Sequence, residues 1–454
     1  MQIIFHGAAK QVGRSCIELK TNNKRFLLDC GIRFTKDGFE YPEGVFDIKQ
    51  LDGVLISHAH LDHTGALPFF EHKKLRCPIF MTPQTKVLTK ILLADSYKIA
   101  NIKNLHPAFD KTDLKEVQKD IRSVEMDKEY SFQQIKFSYH NAGHIPGSAS
   151  ILIKSEGKRI LYSADVNSRE SLLIHRADAT QYKDIDVLIT EATYGARELP
   201  ERELLGKNFL DRIEATIKQG GRVLIPVFAV GRAQEVLIAL SEREWPVPIY
   251  FEGMCKQVTR KILVTPSRFV KNKDKLHEMY FERIKFVKDQ EMREEIVHKP
   301  GIFVCTSGMM QGGPATLYLR HLYQDEKSAV LLTGYQVQET TGWWLSERKE
   351  VRIPGVQAKA KCYVERFDFS GHLSKKDLHE FISTINPKVL LINHGNEEAV
   401  NALKAWVEEN TDIVVYDPEL KDCINIEGEK GSITSEIIRS GESVNDSNNI
   451  GDQE

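Results

Sequence analysis

Residues 57–63, SHAHLDH, decide how this 454-residue chain is read. His58, His60, Asp62 and His63 put three imidazoles and a carboxylate into six consecutive residues, the donor types that zinc accepts. The run 53–57 just before them is apolar and follows an Asp-Gly turn, so it reads as a buried strand. The ligand-capable side chains therefore sit in the loop at that strand's carboxyl edge. In extended backbone, residues two apart share a face, so His58 and His60 point the same way. Asp62 and His63 then turn the chain and face a second ion. The plain alternative is a histidine cluster with no metal, but four polar side chains at a buried strand end are costly unless something ligates them.

Further candidates occupy the same kind of place. Asp29 ends the apolar run 25–28, Asp165 follows 158–162, and His394 ends 388–393, while His144 sits in the loop AGHIPGSAS (142–150). Ligands at the carboxyl ends of several strands converge in space even when they are far apart in sequence. Short strands are also expected at 15–19, 78–81, 135–139, 150–154 and 186–190, with a helix over 84–102. From 221 the rhythm changes. Strands at 221–228, 301–306 and 328–333 each lead into a glycine turn and a helix, which predicts a parallel, doubly wound sheet. The charged segment 269–300 reads as solvated helix and loop. After about residue 361 the first style returns, with strands at 362–367 and 388–393 and a helix over 397–408. The polar end, 437–454, is expected to be a disordered tail, with apolar content fading from about residue 431.

Composition narrows the function classes. Hydrophobic residues make up 41% of the chain and the net charge is −2, so there is no bulk basic field to attract a polyanion. A nucleic-acid site would have to be a local patch or a metal centre. Seven scattered cysteines without a CxxC pair read as reduced, buried thiols, which leads to the expectation of a cytoplasmic protein. No stretch approaches the ~18 apolar residues that span a bilayer, and the opening MQIIFHGAAK lacks the pattern of a signal peptide.

With these residues in view, the sequence resembles the metallo-β-lactamase superfamily and, more narrowly, its β-CASP nucleases. These include the nuclease subunit of the cleavage and polyadenylation specificity factor and archaeal and bacterial ribonuclease relatives. The strand-end Asp29, the HxHxDH run, His144 and Asp165 match the superfamily motifs. Glu191 in TEATYG (190–195), His372 in FSGH (369–372) and His394 in NHG (393–395) match the three β-CASP motifs, and GRAQE (231–235) is typical of the inserted domain. The resemblance implies an α/β fold, a metallo-β-lactamase αββα sandwich (1–196 and 366–436) interrupted by a doubly wound β-CASP domain (197–365). It implies two Zn2+ per chain, one held by His58, His60 and His144 and the other by Asp62, His63 and His394. Asp165 would bridge the two ions and Asp29 would stand behind the ligands. Catalytic roles fall to His372, Glu191 and Asp62, with Glu191 orienting His372 as the proton donor to the leaving oxygen. Two positions depart from the pattern. Ser374 stands where many relatives have Asp, and Ala164 stands where Gly is common.

The histidine at position 394 marks RNA-processing members of that family, so the resemblance implies cleavage of RNA, with single strands favoured. FHGAAKQVGRSC (5–16) and TSGMM (306–310) lean toward an endonuclease. A 5′-to-3′ exonuclease of the ribonuclease J type is the competing expectation, although only about 60 residues follow His394, too few for that enzyme's further domain. A small ester or thioester hydrolase would share HxHxDH but would not need Glu191 or His372. A non-catalytic scaffold would have lost ligands, and none is missing here. Homodimeric assembly is left open.

Overall fold

The computed structural model describes residues 1–35, 38–429 and 432–440. Two twisted sheets face each other in the first unit. One has eight strands, ordered Ser432–Ile438, Cys423–Glu429, Gln2–Gly7, Cys16–Thr21, Lys24–Leu28, Gly53–Leu55, Ile79–Met81 and Ile121–Ser123. The other has seven, ordered Val414–Tyr416, Val389–Asn393, Val187–Glu191, Lys158–Tyr162, Ala149–Ser155, Ile135–Asn141 and Glu129–Phe132. Their facing sides close on one apolar core in which Phe5, Ile17, Leu19 and Phe26 meet Phe137, Ile151, Ile160 and Ile189. Helices cover both outer faces: Phe381, Ile382, Leu403 and Val407 on one, Leu67, Phe69, Phe70 and Val117 on the other. The result is a four-layer αββα sandwich, because a sheet that is apolar on both faces needs cover on both.

The third sheet is entirely parallel, in the order Ile284–Phe286, Ile249–Glu252, Ile302–Cys305, Val223–Pro226, Ala329–Leu332 and Tyr363–Arg366. From Val223–Pro226 the chain winds first to one side and later to the other, which is the doubly wound topology expected of the inserted region. Leu88, Ile91 and Leu92 of the helix Pro83–Ile102 join one apolar cluster with this sheet and with the helix Cys255–Val264, which the first helix meets, so the two units share a core.

Three local expectations are corrected. The strand read at 362–367 as a return to the sandwich is the outer strand of the third sheet, where Tyr363–Arg366 pairs in parallel with Ala329–Leu332. Within 269–300, Ile284–Phe286 is a strand and Leu276, Met279 and Ile284 are buried, since dense surface charge masked a sparse apolar face. The polar end begins later than expected. Ser432–Ile438 pairs with Cys423–Glu429 at the sheet edge, with Ile433 and Ile437 packed on the core at period two. The rest of the expected tail, 441–454, lies outside the described residues. Among the described residues, no helix is long and apolar enough to cross a membrane.

Candidate metal centre

Every candidate residue except His372 lies at the carboxyl end of a sandwich strand or in the loop that follows it. Asp29 follows Lys24–Leu28, His58 and His60 follow Gly53–Leu55, and Asp62 and His63 sit in the single helical turn Leu61–Thr64. His144 follows Ile135–Asn141, Asp165 follows Lys158–Tyr162, Glu191 ends Val187–Glu191, and His394 follows Val389–Asn393. His372 stands just before the helix Lys375–Ile385. Sharp exits from the strands bring these groups together. Asp29 (φ 59°), Ala164 (φ 51°) and His394 (φ 49°) all take the left-handed backbone region, which costs about 1–2 kcal/mol for a residue with a Cβ. Gly143 beside His144 also has positive φ, and a Cβ there would lie 2.3 Å from the Asn167 carbonyl oxygen.

Two ligand clusters result, and they share Asp165. In the first, His60 Nδ1 lies 3.2 Å from His58 Nε2 and 3.2 Å from His144 Nε2. Asp165 Oδ2 lies 3.6 Å from both His58 Nε2 and His144 Nε2. Four donors at such separations match the edges of a tetrahedron around an ion about 2.0–2.1 Å from each. In the second, Asp165 Oδ1 is 3.5 Å from His63 Nε2 and 3.3 Å from His394 Nδ1, and Asp62 Oδ2 is 3.5 Å from His394 Nε2. His63 Nε2, Asp165 Oδ1 and His394 Nε2 are buried without a hydrogen-bond partner. Buried polar atoms are almost always satisfied, so these three orphans, the first two 3.5 Å apart and the third 3.5 Å from Asp62 Oδ2, fit a cation. Histidine and carboxylate donors with no cysteine suit zinc.

Charge follows the same division. Burial, reinforced by His63, pushes His58 well below the usual imidazole range, and burial with His372 does the same to His144, so both offer lone pairs. Burial opposes a charge on His63 as well, but Asp165, Asp29 and Asp62 together hold its proton well above the ordinary range. Next to the clusters, His372 Nδ1 meets the two Glu191 oxygens at 2.9 and 2.8 Å. Burial alone would strip His372 of its proton; Glu191, with Asp165 behind it, reverses this and raises the imidazole to about 9. The His372 ring lies 4.6 Å from that of His144, with its Nε2 edge left free of Glu191.

Comparison with known proteins identifies this constellation. Three family models match in succession: a metallo-beta-lactamase superfamily domain over residues 18–193, a Beta-Casp domain over 233–345, and a Zn-dependent metallo-hydrolase RNA specificity domain over 357–418. The chain belongs to the β-CASP family of metallo-β-lactamase-fold proteins. It is 40% identical over 434 residues to "Probable RNase MJ4" of Methanocaldococcus jannaschii, covering 94% of this chain and 100% of that one. It is 38% identical over 404 residues to an "RNase J-like protein" of the same organism, covering 86% and 91%. It is 32% identical over 457 residues to the Drosophila melanogaster "Cleavage and polyadenylation specificity factor 73", covering 95% and 66%. With its metal-binding clusters, this β-CASP protein is a metal-dependent hydrolase.

In this β-CASP chain Asp29 stands among the side chains that hold the candidate ligands in place, together with Ser57 and Tyr162, which motif reading passed over. Ser57 Oγ donates to Asp29 Oδ2 at 2.6 Å and accepts from His58 Nδ1 at 3.0 Å. Asp29 Oδ2 also accepts from His63 Nδ1 at 2.7 Å and from the Tyr162 hydroxyl at 2.8 Å. One hydroxyl and one carboxylate thus set the ring orientation of a histidine in each cluster, leaving both Nε2 atoms directed into the clusters. His144 donates from Nδ1 to the Gly371 carbonyl at 2.8 Å, and a Cβ on Gly371 would sit 2.9 Å from that nitrogen. The two departures from the family pattern also resolve. Ser374 caps the helix Lys375–Ile385 in a reciprocal bond with Asp377, and Ala164 tolerates the left-handed turn where glycine is common. The glycine turns at Gly308 and Gly334 are packing turns closed on Phe228, where an added Cβ would meet its atoms at 2.9–3.0 Å.

Proposed function

We propose that this chain is a two-zinc endoribonuclease that hydrolyses single-stranded RNA to 5′-phosphate and 3′-hydroxyl ends. The observation that carries the reading is the pair of clusters joined through Asp165, with its three orphaned buried atoms. His58, His60 and His144 would hold one ion and Asp62, His63 and His394 the other, with Asp165 between them. When bound, two such ions supply Lewis acidity, lowering the pKa of a shared water from 15.7 toward about 7 and screening the phosphate oxygens. Asp62, which is 30% exposed at the mouth of the site, faces entering water and RNA. Glu191 keeps His372 protonated through Nδ1, so His372 Nε2 delivers a proton to the 3′-oxygen as its bond to phosphorus breaks. After transfer, the Glu191 carboxylate favours recapture of a proton and resets the donor.

The related proteins named as ribonucleases support RNA as substrate, as does His394 at the third β-CASP motif. The reduced thiols support a cytoplasmic setting, since all seven cysteines are free and six are buried. The test uses internally labelled and 5′-labelled RNA carrying 5′-hydroxyl, monophosphate or triphosphate ends. Internal fragments regardless of the 5′ end are expected. Mononucleotides released only from monophosphorylated RNA would replace the endonuclease with a 5′-to-3′ exonuclease. Light scattering of the zinc-loaded chain, with and without RNA, distinguishes a monomer from a homodimer.

A further inference from the structure

The GRAQE segment belongs to the inserted domain, yet it reaches the loop that carries His372. Glu235, in the helix Arg232–Leu240, is buried and pairs with both Arg202 and Arg232. It also accepts the Leu172 backbone N–H, from the sandwich, at 3.3 Å. Arg202 opens the helix Arg202–Lys218 and donates from Nη1 to the Ser370 carbonyl at 2.9 Å. Arg232 lies over the Phe369 ring, 5.9 Å from its centroid. The 369–372 loop is therefore gripped from the inserted side at Phe369 and Ser370. From the metal side it is gripped at Gly371 by His144 and at His372 by Glu191. Within the loop, Ser370 Oγ accepts the His372 backbone N–H at 2.9 Å, so a shift of Ser370 moves His372 directly.

We propose that Arg202, held by Glu235, is a positioning residue that sets His372 through the Ser370 carbonyl and so couples the inserted domain to proton transfer. Burial opposes the Glu235 charge, but Arg202 and Arg232 hold its carboxyl below the usual range, so the clamp is ionised. A guanidinium is suited to this place because its planar fork serves the Glu235 carboxylate and the Ser370 oxygen together; a lysine has one point charge to divide between them. Both arginines are largely buried, with 20% and 11% of the side chain exposed, which makes Arg202 a poor direct contact for a polyanion.

The proposal rests on His372 being the proton donor, and a double-mutant cycle separates the two ideas. Steady-state cleavage of single-stranded RNA is measured for the zinc-loaded full chain and for Arg202→Met, His372→Ala and the double variant. Zinc content and thermal melting are recorded for each. Arg202→Met is expected to lower kcat by about 10- to 100-fold with KM within about twofold and zinc content unchanged. It is expected to have no further effect on His372→Ala. Glu235→Gln, which keeps the shape of the clamp, is expected to lower kcat less and in the same direction; it becomes the test variant if Arg202→Met does not fold. Multiplied losses in the double variant, or a loss falling on KM, would overturn the positioning role and make Arg202 an RNA contact or a general stabiliser. An unimpaired His372→Ala would instead overturn the reading beneath it.

Discussion

Two buried glutamates end parallel strands in this molecule, and their fates differ. Glu191 ends Val187–Glu191 in the sandwich, and Glu252 ends Ile249–Glu252 in the inserted sheet. Glu191 spends its oxygens on His372 and on the Val166 backbone N–H, 2.9 Å away, directly beside Asp165. Glu252 is neutralised by Arg293, whose Nε lies 3.0 Å from it, and accepts the Tyr318 hydroxyl at 2.7 Å. The same position at a parallel strand end gives a carboxylate set on an imidazole in one domain and one set on a guanidinium in the other. Partner chemistry makes the difference: an imidazole can exchange its proton near neutral pH, whereas a guanidinium cannot.

Substitutions can break or sharpen that contrast. The largest effect is expected inside the sandwich, where His60→Ala or Asp165→Ala should lose bound zinc and all measurable RNA cleavage. Metal analysis alongside the cleavage assay checks this; full zinc with normal turnover would dissolve the contrast. Glu191→Gln and His372→Ala should keep zinc but slow cleavage, His372→Ala by about 10²–10⁴-fold. Ser57→Ala should weaken zinc binding by about 10- to 100-fold in a chelator competition, with Ser57→Thr retaining most of the affinity. In the other domain, Glu252→Gln should leave kcat alone and reduce unfolding free energy by about 1–3 kcal/mol in urea, because Arg293 and Tyr318 lose a charged partner. The smallest effect is expected at Ala164→Gly. There the lost methyl, about 0.8 kcal/mol, and the greater freedom of glycine in the unfolded chain, about 0.5–1 kcal/mol, offset about 1–2 kcal/mol of relieved backbone strain, so urea midpoints should barely move.

The contrast also shows what sequence reading could reach. The side chains that the fold brings together were legible as candidates because HxHxDH concentrates four donors and because Asp165 and His394, with Asp29 behind them, each close an apolar run. The division of those donors between two ions came from family resemblance, since convergence of distant strand ends is a property of sheet order. Ser57 and Tyr162 were not legible. A serine before histidine and a tyrosine ending a strand are ordinary, and only the fold places both hydroxyls on Asp29. Glu191 stood out only through the TEATYG motif; as a glutamate closing an apolar run, Glu252 reads the same way. Edge strands were the weakest part of the fold reading. Tyr363–Arg366 and Ser432–Ile438 are half-solvated, so their apolar pattern is diluted and their sheet is decided by neighbours far away in the chain.

The most direct test is metal analysis of the untagged chain, purified without chelators, coupled to RNA cleavage before and after metal removal. The expected result is about two zinc ions per chain, loss of cleavage when a strong chelator strips them, and recovery on adding zinc back. A chain that carries no zinc, or that cleaves RNA equally well after complete stripping, would contradict a dinuclear centre built on Asp165.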